Sequence, residues 1–179
     1  YTVTDTGESE AARADTLFTL LLDATRLRLR ADVPVGAYLS GGLDSSVIAG
    51  LVARHTDNPV ETFSVTFDEH EYDESGFQND VVSMLGTRHR SVNCSTAEIG
   101  GLFSDVIWFS ETPVVRTAAA PLLKLAGLVR DSGYKVVLTG EGSDEMLGGY
   151  DLFKEAKIRR FWAKHPESKL RPQLLKRLY

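Results

Sequence analysis

A single cysteine, Cys94, stands among 179 residues. One cysteine excludes an internal disulfide framework and suits a reducing, cytoplasmic setting. No basic residue stands in a pair or triad arrangement with it, so it reads as a small residue at a strand end and not as a nucleophile. Long apolar runs are missing as well. None approaches the ~20 residues that cross a bilayer, which excludes a membrane-spanning helix. The opening residues, Tyr1-Thr2-Val3-Thr4-Asp5, lack the basic region and apolar core of a signal peptide, and no initiating Met precedes them. A piece of a longer chain is therefore expected. The histidines His55, His70, His89 and His165 show no metal-ligand spacing. Positive charge is scarce over residues 1–150, where 11 Lys/Arg face 22 Asp/Glu. So acidic a body argues against a nucleic-acid partner. Residues 151–179 reverse the balance, with 9 basic against 3 acidic side chains. That tail reads as a solvated helix face or as a surface that packs on a further part of the protein. Internal repeats and low-complexity segments are absent.

What remains is an ordinary soluble composition, 42% hydrophobic with a mean hydropathy of −0.14, and enough chain for one domain with a core. Residues 9–30 carry Leu17, Leu20, Leu21, Ala24 and Leu27 at helical spacing, with Arg26, Arg28 and Arg30 at the end that favours cations. Buried strands are read at 35–39 and 134–139, a strand rich in Phe, Val and Thr at 61–67, and a short strand at 88–92. Between them fall helices at 45–55, 74–85 closed by Gly86, 96–110, and 118–131 closed by Gly133. Two more helices are expected at 151–164 and about 172–179. Strands alternating with helices predict an α/β fold, a parallel sheet with helices on both faces.

The most informative stretch is Leu39-Ser40-Gly41-Gly42-Leu43-Asp44-Ser45-Ser46. It lies at a strand-to-helix junction. Glycines there let the backbone approach a phosphate, and the free N–H groups of a helix start favour an anion. Asp44 would repel a bare phosphate, which argues for a magnesium ion between the two. A Walker loop would place Gly-Lys-Ser/Thr here, and no such lysine follows Gly42. The plainer alternative is a tight turn with Ser45 as helix cap. A second stretch, Leu138-Thr139-Gly140-Glu141-Gly142-Ser143-Asp144-Glu145, is followed by Gly148-Gly149-Tyr150. Both stretches follow strands, and in open parallel sheets ligands sit at the carboxyl ends of strands.

Ser-Gly-Gly-Leu-Asp-Ser-Ser resembles the pyrophosphate-binding loop of the PP-loop ATP pyrophosphatases. Together with Gly-Glu-Gly-Ser-Asp-Glu, it resembles the synthetase domain of glutamine-dependent asparagine synthetases, over about Asp32 to Tyr150. The resemblance implies a PP-loop fold of the adenine nucleotide alpha-hydrolase type and two chemical steps. A carboxylate, aspartate in the typical enzyme, attacks the α-phosphate of ATP, releasing pyrophosphate and forming an acyl-adenylate. Ammonia then attacks the carbonyl and AMP leaves. By resemblance Leu39, Ser40, Gly41, Gly42, Asp44, Ser45, Ser46, Val65, Thr139 and Gly140 bind ATP. Asp44 and Asp144 hold Mg²⁺. Glu141 is the base that takes the proton of the attacking ammonia, and Arg116 approaches the acyl-adenylate. Each has a plainer alternative: core for Val65, a first-turn acid for Glu141, a surface cation for Arg116. Asp68, Glu69, Glu71, Asp73 and Glu74 form a solvated acidic loop or, alternatively, a metal site.

The resemblance also implies a glutaminase domain ahead of residue 1 and further synthetase residues beyond Tyr179, so the isolated chain is expected to be inactive. The expected division is a helix and linker over 1–31, an ATP-binding core over 32–150 and a basic helical start of a further part over 151–179. A homodimer is one form open to the full-length protein. Three functions stay open. One is asparagine synthesis. Another is the same adenylation in a related amidotransferase, β-lactam synthetase or macrolactam cyclase. The third is a nucleotide-binding module without activity.

Overall fold

The computed structural model describes residues 7–178; Tyr1–Thr6 and Tyr179, the last residue of the expected 172–179 helix, lie outside them. The chain forms two compact units, one ending at Gly140 and the other beginning at Glu141. That boundary falls inside the second glycine-rich stretch.

The first unit runs α1 (Glu10–Arg28), β1 (Val35–Tyr38), α2 (Leu43–His55), β2 (Glu61–Thr66), α3 (Ser75–Leu85), β3 (Arg88–Asn93), α4 (Thr96–Ser110), α5 (Ala119–Asp131) and β4 (Val136–Leu138). The strands form one sheet in the order β3-β2-β1-β4, and all three pairings are parallel. The predicted α/β sheet is therefore present. Its helices cover both faces because β1 alternates. Val35 and Ala37 face a cluster with Leu29, Val52 and Val60. Tyr38 faces the other cluster, where Phe63, Leu125 and Val129 are buried. Burial of a side chain as large as Phe63 contributes about 2–3 kcal/mol. Gly36 lies directly under its ring, where an added Cβ would come within 2.7 Å of Phe63 Cε2.

Local signals explain most boundaries. The Ser95 hydroxyl and Glu98 form a capping box at the start of α4. Gly86 ends α3 in the left-handed region, at φ 66°. The leucine stripe of α1 behaves differently from its spacing. Leu17, Leu20 and Leu27 are exposed, and Thr25 is the buried residue of the helix. The helix meets α2 instead through its C-terminal half, where Arg26 Nη2 donates to the His55 carbonyl at 3.2 Å.

The second unit contains α6 (Ser143–Leu147), α7 (Asp151–Ala163) and a 3-10 helix, Arg171–Arg177. Two corrections fall here. The short α6 has too few residues for a hydrophobic period and escaped the pattern reading. The expected final α-helix is a 3-10 helix with Pro172 at its start, since proline fixes φ and removes a donor. The basic tail neutralises part of its own charge, with ion pairs Lys154–Asp151 and Arg159–Glu155 and the Arg171 guanidinium 4.1 Å from the Phe161 ring centre.

Candidate active site

Strand order places the first stretch. β1 is flanked by β2 on one side and β4 on the other. The chain therefore leaves β1 and β3 in opposite directions across the sheet, and the crevice of an open sheet lies between β1 and β4. The loop after β1 is residues 39–42, and the loop after β4 begins at Thr139. They meet at Gly140. A Cβ there would come within 2.9 Å of the Asp44 carbonyl carbon, Asp44 Cβ and Ser45 N, so only glycine fits.

The loop is shaped by its own hydroxyls. Ser40 N donates to Ser45 Oγ at 3.1 Å, and the two hydroxyls lie 2.9 Å apart. Gly42 N donates to Ser40 Oγ at 3.2 Å. Ser45 Oγ and Ser46 Oγ both donate to the Gly42 carbonyl, at 3.2 and 2.7 Å. These contacts turn the chain into α2, and Gly41 completes the turn at φ 89°. Ser45 thus acts on the loop, not on a helix amide: α2 has Gly42 at its N-cap and no side-chain cap. The consequence is chemical. Among the described residues, the N–H groups of Gly41, Leu43, Asp44 and Ser45 have no hydrogen-bond partner. Unpartnered amides in series at the start of a 13-residue helix form an anion-binding concavity. The half-buried Asp44 carboxylate likewise makes no hydrogen bond or ion pair among the described residues.

Other candidates are placed unevenly. Leu39 is buried in the core; its N–H donates to the Phe63 carbonyl at 2.9 Å, and its carbonyl accepts the Ser64 hydroxyl. Val65 is half-buried near the carboxyl end of β2, where its carbonyl accepts Gln78 Nε2 at 3.1 Å. Gln78 carried no sequence signal, being one polar residue in the first turn of α3. Thr139 is exposed at the end of β4. Arg116 is exposed on the segment leading into α5. Since α5 ends in the turn that starts β4, its other end lies at the carboxyl edge of the sheet. The Glu98–Lys124 ion pair agrees, joining the first turn of α4 after β3 to α5.

The second unit holds Glu141 and Asp144. Glu141 is exposed and Asp144 half-buried. The Asp144 carbonyl accepts from both Gly148 N and Gly149 N, at 2.9 and 3.1 Å. The Tyr150 hydroxyl donates to Glu145 at 2.8 Å. That bond pushes the Tyr150 pKa up, followed by burial and the charges of Glu145, Asp144 and Glu141. Glu141 and the α6 carboxylates of Asp144 and Glu145 thus act on one hydroxyl, which Glu145 contacts directly.

Among the described residues no group of three or more His, Cys, Asp or Glu could hold an ion. Mg²⁺ asks for less, one or two carboxylates plus substrate phosphates, and the unpartnered Asp44 carboxylate beside free amides fits that pattern. The acidic loop after β2 does not. Asp73 accepts from Phe67 N, Ser75 N and the Ser75 hydroxyl, the last at 2.6 Å. That hydroxyl holds the Asp73 pKa below its usual range, and the side chain anchors the start of α3.

A family model described as asparagine synthase matches residues 16–179. The chain belongs to the asparagine synthase family. It is 36% identical over 150 residues to a putative glutamine-hydrolysing asparagine synthetase of Mycobacterium bovis, covering 84% of this chain and 23% of that protein. It is 39% identical over 148 residues to Amidase chyE of Penicillium rubens, covering 75% of this chain and 22% of that protein. Among solved structures it resembles a glutamine-dependent NAD+ synthetase of Acinetobacter baumannii in complex with ADP. The TM-score is 0.54 at 19% identity, over 83% of this chain and 29% of that one. That likeness shows the fold, a parallel α/β sheet with covering helices. As an asparagine synthase family member the chain spans 23% of the length of its Mycobacterium bovis relative.

Proposed function

We propose that the chain is the ATP-binding part of a synthetase that activates a carboxylate as its adenylate and passes it to ammonia, converting aspartate to asparagine. The observation that carries this is the row of unpartnered amides at Gly41, Leu43, Asp44 and Ser45 beside the β1–β4 crevice. Loss of pyrophosphate concentrates negative charge on the β- and γ-phosphates, and preorganised amides stabilise that charge without reorganising. Ser40, Gly42 and Ser46 hold the loop in that shape, Thr139 and Gly140 line it from β4, and Leu39 and Val65 supply the backbone against the adenine. Bound Mg²⁺ would add positive charge at the phosphates, held by Asp44 and Asp144. Arg116 offers a planar guanidinium to the adenylate phosphate or the substrate carboxylate. Glu141 takes the proton that ammonia sheds on attack, a role typically worth ~10²–10⁴-fold.

In the whole protein, a glutaminase domain supplies the ammonia and the enzyme works in the cytoplasm. The described residues include no helix long and apolar enough to cross a membrane. The isolated chain binds nucleotide but turns over no aspartate. Positioning two reactants accounts for about 7–11 kcal/mol of a barrier, and this chain spans 23% of its relative's length. The match to Amidase chyE supports a second reading, the same adenylation on another carboxylate.

Calorimetric titration with Mg-ATP tests the proposal on wild type and Asp44→Ala. Wild type is expected to bind, and the variant to bind at least tenfold more weakly, about 1.4 kcal/mol. Equal affinities would remove Asp44 from the site, and no binding by wild type would remove the nucleotide.

A further inference from the structure

The phosphate loop is held from outside by α3. Gln78, in the first turn of that helix, is buried at 3% exposure. Its Nε2 faces two backbone carbonyls, Val65 O at 3.1 Å and Ser40 O at 3.4 Å. Two acceptors around one nitrogen settle the amide orientation, because the side-chain oxygen would repel both. The first contact is an ordinary hydrogen bond and the second a long one. The same turn is pressed against the loop. A Cβ on Gly41 would come within 2.9 Å of Phe77 Cβ and 3.1 Å of Gln78 N.

The peptide unit between Ser40 and Gly41 is planar and trans, so its C=O and N–H point in opposite directions. Turning the Ser40 carbonyl toward Gln78 therefore turns the Gly41 N–H away from α3. That N–H is one of the four unpartnered amides. We propose that Gln78 is a positioning residue of the nucleotide site, orienting the Ser40–Gly41 peptide and tying the phosphate loop to the carboxyl end of β2. The inference rests on the nucleotide reading given above, but its mechanical part does not depend on it. Gln78 touches no phosphate; it acts through the loop amides.

The test compares wild type, Gln78→Met and Gln78→Glu in the 179-residue chain. Met keeps the volume and loses the donor; Glu keeps the shape and sets a carboxylate against two carbonyls. Amide hydrogen exchange without ligand and Mg-ATP calorimetry are read on each. Loss of one or two hydrogen bonds of ordinary net strength predicts affinity lower by about three- to tenfold in Gln78→Met. Exchange at Ser40, Gly42 and Ser46, the loop amides that have acceptors, speeds up while exchange in β1 and β3 stays unchanged. A purely packing role would instead lower the melting temperature and speed exchange throughout β2 and α3, leaving the affinity of the folded protein as it was. That pattern, or variants identical to wild type in both readouts, overturns the proposal. If wild type binds no Mg-ATP, the nucleotide reading fails and the loop exchange alone decides the role of Gln78. If neither variant folds, the wild-type Gln78 side-chain amide resonance decides: a shift on adding Mg-ATP supports the role, and an unmoved resonance overturns it.

Discussion

At the amino edge of the sheet, the Glu61 carboxylate takes Arg88, Arg90 and the Tyr134 hydroxyl. At the carboxyl edge, four amides and the Asp44 carboxylate have no partner among the described residues. The two ends belong to the same strands and have opposite designs. Glu61 and Arg88 are register partners on β2 and β3, so a charge buried at 3% exposure is neutralised by side chains already aligned with it. The carboxyl edge instead keeps its dipoles open, which is how a ligand site differs from a structural one. Stability and binding should therefore separate along the strand axis.

The largest expected effect is on stability at the amino edge. Glu61→Ala removes hydrogen bonds to a charged group and should cost about 2–3 kcal/mol in urea unfolding. The loss stays below that of a fully buried pair, because Arg88 and Arg90 are 76% and 53% exposed and return to water. Mg-ATP affinity of the folded variant should not change; a weaker affinity would mean that the two edges are coupled. Next is Gly140→Ala, the one change expected to move both quantities. Its Cβ would meet helix backbone at 2.9 Å, and overpacking of this kind costs about 1–3 kcal/mol. Mg-ATP binding should weaken with it, and unaltered binding would take β4 out of the site.

The smallest effect concerns Glu98, on the exposed side of the carboxyl edge. The Lys124 ammonium and the capping contacts with Ser95 hold its pKa down at about 2, against an ordinary 4.5. A lowered folded-state pKa gives a contribution complete above pH 4.5 and lost as pH falls toward 2. Melting temperature against pH should show that acid loss in wild type and a flatter profile in Glu98→Gln. Identical profiles would mean that solvent screening cancels the Lys124 pair.

Much of this organisation is visible in the residues themselves. Strands β1, β2 and β4 announce themselves as short runs rich in apolar or β-branched residues, whereas β3, Arg88–Asn93, carries two arginines and a histidine; the capping box at Ser95 and Glu98 fixes the start of α4. The glycine-rich stretches point to the crevice because each follows a strand. The missing parts have physical reasons. Five-residue α6 has no period to detect. Leu17, Leu20 and Leu27 follow a helical spacing yet stay exposed, since spacing reports a face and not what covers it. Gln78 depends on tertiary register: only the approach of α3 to Gly41 brings its amide to the Ser40 and Val65 carbonyls. The hydroxyls of Ser40, Ser45 and Ser46 look like ligand donors in sequence, and the fold turns them inward on the loop.

The central claim is that the open amides after β1 receive the phosphates of a nucleotide. Amide resonances of the ¹⁵N-labelled chain, followed during titration with Mg-ATP, test it directly. The account predicts that Gly41, Leu43, Asp44 and Ser45 shift first and most, with Glu61, Arg88 and Arg90 at the other edge unmoved. Saturable shifts centred elsewhere, or no shift at those four amides, would contradict it.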